Sequence, residues 1–339
     1  MKYIKEKFYF TFMGKNNLNK ITIIVIGGLN TDIVALGAKK LLASGELTYV
    51  EKLHIGPGGK SRNIAQMIAA LSNRKNVAMI GKTTNDPYGL WRLPLDSLKT
   101  SGVNTEYISI DSYEKTKIFP GIALIPVDTK GRNQIYVFPG INDQFSPNDV
   151  EAANELFKSV AADNGLLVST LELPYKTVLY AFKKANSLGI KVLFDPGGID
   201  ENQNYQELLS QNIFLIKPNE HEAKILTGIT VSDKNSAKKA AEKLLSMGVQ
   251  NVFITLGGKG GYFFNKDIQE QIPVPKISNG KFKDETGCGD QTMAAFTVAL
   301  NEGKHIVEAA KIAILAGSLQ FYSPGIRPVT RKALAKYLK

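Results

Sequence analysis

Seven consecutive residues, Asp284-Glu285-Thr286-Gly287-Cys288-Gly289-Asp290, combine the features of an anion-binding turn with a carboxylate at its edge. Small residues at 287–289 let backbone N–H groups point toward a ligand. The helical pattern that follows, Gln291–Glu302, adds about half a positive charge at its N-terminus. Such amides would stabilise charge on a phosphoryl group in transfer, while Asp290 accepts the proton of a substrate hydroxyl. A plain helix N-cap uses the same residue types, so the segment alone leaves both roles open. Cys288 fits as a small residue whose N–H does the binding. A thiol at a helix N-terminus also raises the expectation of a lowered pKa.

Other chemistries fit less well. Gly58-Gly59-Lys60-Ser61 ends like a P-loop, but the glycine needed five positions before Gly59 is His54. Gly287, Gly289 and Thr292 miss the third glycine of the dinucleotide fingerprint. One cysteine excludes an internal disulfide framework or a multi-cysteine zinc site, and His54, His221 and His305 lack ligand spacing. The net charge of +11 is scattered through helical stretches such as Lys234–Lys239, without a basic tail, so no specific nucleic-acid partner is expected. No apolar run approaches the roughly 18 residues of a membrane span. Lys2, Lys5 and Lys7 precede Phe8–Met13, which is shorter than a signal-peptide core and lacks a cleavage site. Residues 1–20 are read as an extension and the location as cytoplasmic.

The elements that must position these residues alternate in type. Ile21–Ile26, Val77–Ile80, Gly165–Val168, Lys191–Phe194, Ile213–Ile216 and Val252–Thr255 are short runs without polar alternation, as in a parallel sheet covered on both faces. Helical patterns lie between and after them at Ser61–Leu71, Val150–Val160, Tyr175–Leu188, Ser236–Met247, Gln291–Glu302 and His305–Gln320. The repetition predicts an α/β domain over 21–339 with right-handed crossovers. Two helix-poor stretches, about 30–56 and 106–140, predict a small β lid; Ile118–Val127 and Gln134–Phe138 read as its hairpin. Ligands in open α/β sheets bind beyond the carboxyl ends of strands. Asn30, Asp32, Glu172, Asn219, Glu222, Gly257 and Gly258 all fall there.

At this point the residues resemble a family. Gly58-Gly59-Lys60-Ser61-Arg62-Asn63-Ile64-Ala65 is similar to the first signature of the PfkB (ribokinase-like) carbohydrate kinases, and 284–290 to their second. Asn30-Thr31-Asp32, Pro139-Gly140-Ile141-Asn142, Leu171-Glu172-Leu173-Pro174, Asn219-Glu220-His221-Glu222 and Thr255-Leu256-Gly257-Gly258 resemble further family segments in the same order. The resemblance implies a Rossmann-like three-layer α/β/α domain with a β-sheet lid and an ATP-dependent sugar kinase. Lys60 after the paired glycines resembles the ribokinase pattern, so ribose to ribose 5-phosphate is the expected reaction. Asp290 would be the base and the Gly287-Cys288-Gly289 backbone the anion hole. By the same resemblance Asn30, Asp32, Gly58, Gly59, Lys60, Asn63 and Glu172 line the sugar pocket, while Asn219, Thr255, Gly257 and Gly258 contact ATP. Glu222 is implied for Mg²⁺, partly through water, and Asp284 and Gly325 for a monovalent cation, K⁺. Pairing of two lids in a homodimer is also implied. Glu285 and Cys288 depart from the family pattern, and Arg62 stands where ribokinases have a small residue. Arg62-Asn63-Ile64-Ala65 resembles nucleoside and pseudouridine kinases of the family, which keeps a nucleoside kinase as the alternative. A non-catalytic sugar- or nucleic-acid-binding protein on this fold is the alternative from another class.

Overall fold

Among the residues that the computed structural model describes, 20–72, 75–277 and 283–338, thirteen strands divide between two sheets. They are β1 (Ile23–Ile26), β2 (Asn30–Ala38), β3 (Lys52–Gly58), β4 (Val77–Thr84), β5 (Ile108–Asp111), β6 (Gly121–Asp128) and β7 (Tyr136–Phe138). The series continues with β8 (Leu166–Ser169), β9 (Lys191–Phe194), β10 (Leu215–Ile216), β11 (Val252–Thr255), β12 (Gly261–Phe264) and β13 (Gln269–Ile272). The large sheet runs β13-β12-β11-β10-β9-β8-β1-β4-β5, parallel from β5 to β11 and closed by an antiparallel hairpin. The strand order reverses between β1 and β8, which is where such sheets open a ligand crevice.

Continuously apolar strands are explained by what covers them. Ile24 and Ile26 of β1 join a core with Phe157, Phe182 and Leu244 from helices on one face. Ile23 and Val25 join another with Ile64, Phe296 and Ala313 on the opposite face. Three layers result, with helix Lys60–Leu71 packed against helix Cys288–Asn301 on the second face. That pairing brings the two glycine-rich turns, which are more than 200 residues apart in sequence, to one end of the sheet.

The small sheet runs β3-β2-β6-β7. Residues 106–140 were expected to belong to it as a whole, but β5 instead pairs in parallel with β4 at the edge of the large sheet. Ile108 is buried with Leu95, Leu98 and Val103, and that apolar contact holds β5 to the main core. The helix expected over 150–160 begins earlier, at Pro147, because Ser146 and Asp149 form a capping box with proline in the first turn. It breaks at Ala153 before resuming as Asn154–Ala161. The extension expected over 1–20 lies outside the described residues except for Lys20.

Candidate active site

The helix expected from Gln291 starts three residues sooner, so Asp290 lies within its first turn and Gly287 is the N-cap. Gly287 adopts φ 72°, and a side chain there would meet Ile326 Cδ1 at 2.7 Å. Only glycine suits both demands. First-turn N–H groups have no acceptor within their own helix, and those of Gly289 and Asp290 find none elsewhere in the backbone of the described residues. Asp290 is buried beside them. Its Oδ2 accepts from Asn63 Nδ2 at 2.9 Å, and its Oδ1 lies 3.7 Å from Lys60 Nζ. The Asp290 charge, opposed by burial, holds the Lys60 ammonium well above the usual lysine range.

Asn63 and Lys60 reach Asp290 because of how helix Lys60–Leu71 begins. Its N-cap, Gly59, takes φ 95°, and a Cβ there would lie 2.8 Å from the Gly28 carbonyl. The orphan N–H groups of Lys60 and Ser61 donate to Glu172 Oε1 and Oε2 at 2.8 and 3.0 Å. Glu172 thus caps a helix more than 100 residues away in sequence. Burial raises its pKa to about 6 against those two hydrogen bonds.

The lid contributes Asn30 and Asp32 from β2. Asn142 Nδ2 donates to Asn30 Oδ1 at 2.9 Å, which fixes the Asn30 amide with its N–H₂ end free for a ligand. The Asp32 carboxylate lies directly over Gly58, where any Cβ would collide with it. Burial raises the Asp32 pKa to about 6, with Arg62 and His54 pulling it down and Asp290 pushing it up.

Along the same edge of the sheet, Asn219 and Glu222 form a capping box at helix Glu220–Thr227. Glu222 Oε2 accepts from Asn219 N–H at 2.9 Å, which leaves Oε1 for an outer partner. Thr255 N–H donates to the Pro218 carbonyl, and Gly257 and Gly258 form an open turn with nothing crowding their Cα atoms. Asp284 accepts from Thr286 and Gly325 N–H at 2.9 and 2.8 Å, so these two expected cation residues do meet. Gln320 donates to the Gly325 and Thr286 carbonyls, and its own Oε1 is buried without a partner among the described residues.

Sequence reasoning missed a buried ion pair at the centre of this arrangement. Lys217 Nζ lies 2.8 Å from Asp195 Oδ2, and both side chains are 3% exposed. Although burial opposes it, the Lys217 ammonium keeps the Asp195 carboxyl below its usual range. A Cβ built on Gly289 would come within 3.8 Å of Lys217 Nζ, which places the ammonium at the anion turn. The signal was available: Asp195 directly follows β9, and Lys217 directly follows β10. The expectation for the Cys288 thiol is corrected. Burial, reinforced by Asp284, Glu285 and Asp290, pushes its pKa up to about 12, so the helix N-terminus does not make it a thiolate.

Residues 20–332 match the model of the family described as "pfkB family carbohydrate kinase". A ribokinase of Staphylococcus aureus is 32% identical over 305 residues, 89% of this chain and 94% of that protein. One from Schizosaccharomyces pombe is 30% identical over 90% of this chain and 93% of its own length. The solved Arabidopsis thaliana ribokinase, complexed with ribose and ATP, superposes with a TM-score of 0.81 at 26% identity, covering 94% of this chain and 99% of that one.

Proposed function

The chain belongs to the pfkB family of carbohydrate kinases and is a sugar kinase; we propose that it transfers the γ-phosphoryl group of ATP to the 5-hydroxyl of ribose. The observation that carries this reading is the convergence of Asp290, Asn63 and Lys60 on an anion-binding helix N-terminus. Asp32 and Asn30 offer acceptor and donor atoms to ring hydroxyls. Asp290 Oδ1 takes the proton of the attacking hydroxyl as its oxygen bonds to phosphorus. The Gly289 and Asp290 N–H groups, with Lys60 and Lys217, balance the charge of the moving group. Closure of the lid would exclude water, which otherwise competes with the sugar.

Mg²⁺ keeps several waters and needs few protein carboxylates, and Glu222 with its free Oε1 fits that role through water. Bound there, the ion would neutralise phosphate charge. A K⁺ ion would find oxygen ligands in Asp284, the Gly325 carbonyl and the orphaned Gln320 Oε1. The need for ATP as donor supports the reading of a cytoplasmic protein.

Arg62 was the reason to entertain a nucleoside. Its guanidinium is fully buried and hydrogen-bonded to protein partners, so it leaves no demand for a base in the pocket. ADP release should be measured against ribose, other pentoses, fructose, ketodeoxygluconate and nucleosides, with and without K⁺. The highest kcat/KM is expected for ribose; selective turnover of a nucleoside would overturn the ribose assignment and keep the chemistry.

Strand register also makes the lid two-faced. Asn30 and Asp32 lie on one face, while Ile33 is in register with Ile55 and Leu124, and Leu124 with Tyr136. Ile122 and Phe138 pair on that second face. Leu124, Tyr136 and Phe138 are about half exposed there. An apolar sheet face of this kind calls for a partner, and a second copy of the lid supplies one by symmetry. Light scattering on the wild type should give twice the chain's mass, and Leu124→Glu should halve it. A monomeric wild type at micromolar concentration would exclude the pairing.

A further inference from the structure

Arg62 is a charged side chain with no exposed surface at all, one residue from Asn63 and in the middle of the site's hydrogen-bond network. Its Nη1 donates to Gln66 Oε1 at 2.8 Å and to Ser97 Oγ at 3.1 Å. Its Nη2 donates to the Pro57 carbonyl of β3 at 3.3 Å and to Asn63 Oδ1 at 2.8 Å. Asn63 Nδ2 then donates to Asp290 Oδ2 at 2.9 Å. Among the described residues no carboxylate touches the guanidinium, and its Nε has no partner. Burying an unpaired cation is costly, and a small residue here would avoid that cost. The arrangement therefore needs a use.

We propose that Arg62 is a positioning residue for phosphoryl transfer, which locks the Asn63 amide so that Asp290 Oδ2 always accepts a hydrogen bond and Oδ1 alone receives the substrate proton. This rests on the reading of Asp290 as base. An asparagine amide has two nearly isosteric orientations. While Asp290 is ionised, either Asp290 or Arg62 selects the one with N–H₂ toward the carboxylate. Once the hydroxyl proton has moved to Asp290, the flipped amide could accept from the carboxylic acid and draw the proton to Oδ2. The rigid fork of Arg62, an obligate donor toward Asn63 Oδ1, forbids that flip. The same buried charge acts through space on Asp32: Arg62 Nη2 donates to the Pro57 carbonyl, next to Gly58, over which the Asp32 carboxylate lies, and His54 and Asp290 are the other charges acting on it. It opposes protonation of that carboxylate and keeps it an acceptor for sugar hydroxyls.

The test compares Arg62→Met and Arg62→Lys with the wild type and with Asn63→Ala, by kcat, sugar and ATP KM, pH profile and melting midpoint. Arg62→Met should lower kcat by about 10- to 100-fold, as misplacement of a reacting group does, with ATP KM unchanged. Its sugar KM should begin to rise at a higher pH than in the wild type, where the rise falls near 6. Arg62→Lys keeps the charge without the fork, so it should lose kcat and retain the wild-type pH dependence of sugar KM. If Arg62→Met fails to fold, Arg62→Lys carries the test. In an Asn63→Ala background, Arg62→Met or Arg62→Lys should cost no further kcat. Wild-type kcat in folded Arg62→Met or Arg62→Lys, or losses that multiply with Asn63→Ala, would overturn the proposal. An inactive Asp290→Asn beside a fully active Arg62 variant refutes this inference alone, whereas an active Asp290→Asn refutes the base itself.

Discussion

Asp290→Asn is expected to lower kcat by about 10²–10⁴-fold, the usual contribution of a general base, with the fold and both KM values little changed. Asparagine has nearly the same shape, and its Oδ1 can still accept from Asn63 Nδ2 as the carboxylate does at 2.9 Å. The Gly289 and Asp290 N–H groups belong to the backbone, so the anion site survives. What disappears is the atom proposed to take the proton. Lys60 also loses the nearest counter-charge of its ammonium, which lies 3.7 Å from Asp290 Oδ1. Retention of more than a tenth of wild-type kcat, with a melting midpoint equal to the wild type's, would remove Asp290 from the role of base.

The second large effect concerns stability. Asp195→Asn should destabilise the protein by about 3–5 kcal/mol, because breaking a buried pair leaves the other charge uncompensated. Both partners are 3% exposed and 2.8 Å apart, so solvent does little to screen either one. A melting midpoint lower by at least about 5 °C follows for a protein of this size. The sign with pH is fixed by the lowered pKa of Asp195. Its contribution is fully present above the ordinary carboxylate range and is lost as pH falls through the folded-state value, so the gap to the variant closes only in acid. Asp195→Leu combined with Lys217→Met should recover most of the stability, since apolar pairs of similar volume replace buried ion pairs well. It should stay poorly active, because Lys217 lies beside the anion turn. Full activity in that double variant would reduce the pair to a structural feature.

The Asp195–Lys217 pair marks where sequence reading stopped. Each residue closes a short apolar strand, and nothing in the 21 intervening positions says that β9 and β10 lie side by side. The signature segments were legible because their chemistry is local: glycines at 287 and 289 and an aspartate at 290 form a turn from consecutive residues. The strands were legible because burial on both faces erases polar alternation, as in Ile23–Ile26. Strand β5 was misplaced in the lid because a four-residue run carries no mark of which sheet it joins. Only its apolar contact with Leu95 and Leu98 decides that.

By itself, then, the sequence determined the α/β alternation, the two glycine-rich turns and the carboxylate, Asp290, that is proposed as the base. These follow from hydrophobic period and backbone freedom, which act over a few residues. Tertiary structure decided which side chains those turns would meet. Glu172 proved to be the cap of helix Lys60–Leu71, Arg62 turned inward to hold Asn63, and burial, helped by nearby carboxylates, keeps the Cys288 thiol protonated. Such burial and hydrogen bonding, between neighbours such as Arg62 and Asn63 as much as across the 112 positions from Lys60 to Glu172, exist only once the chain has closed its sheet.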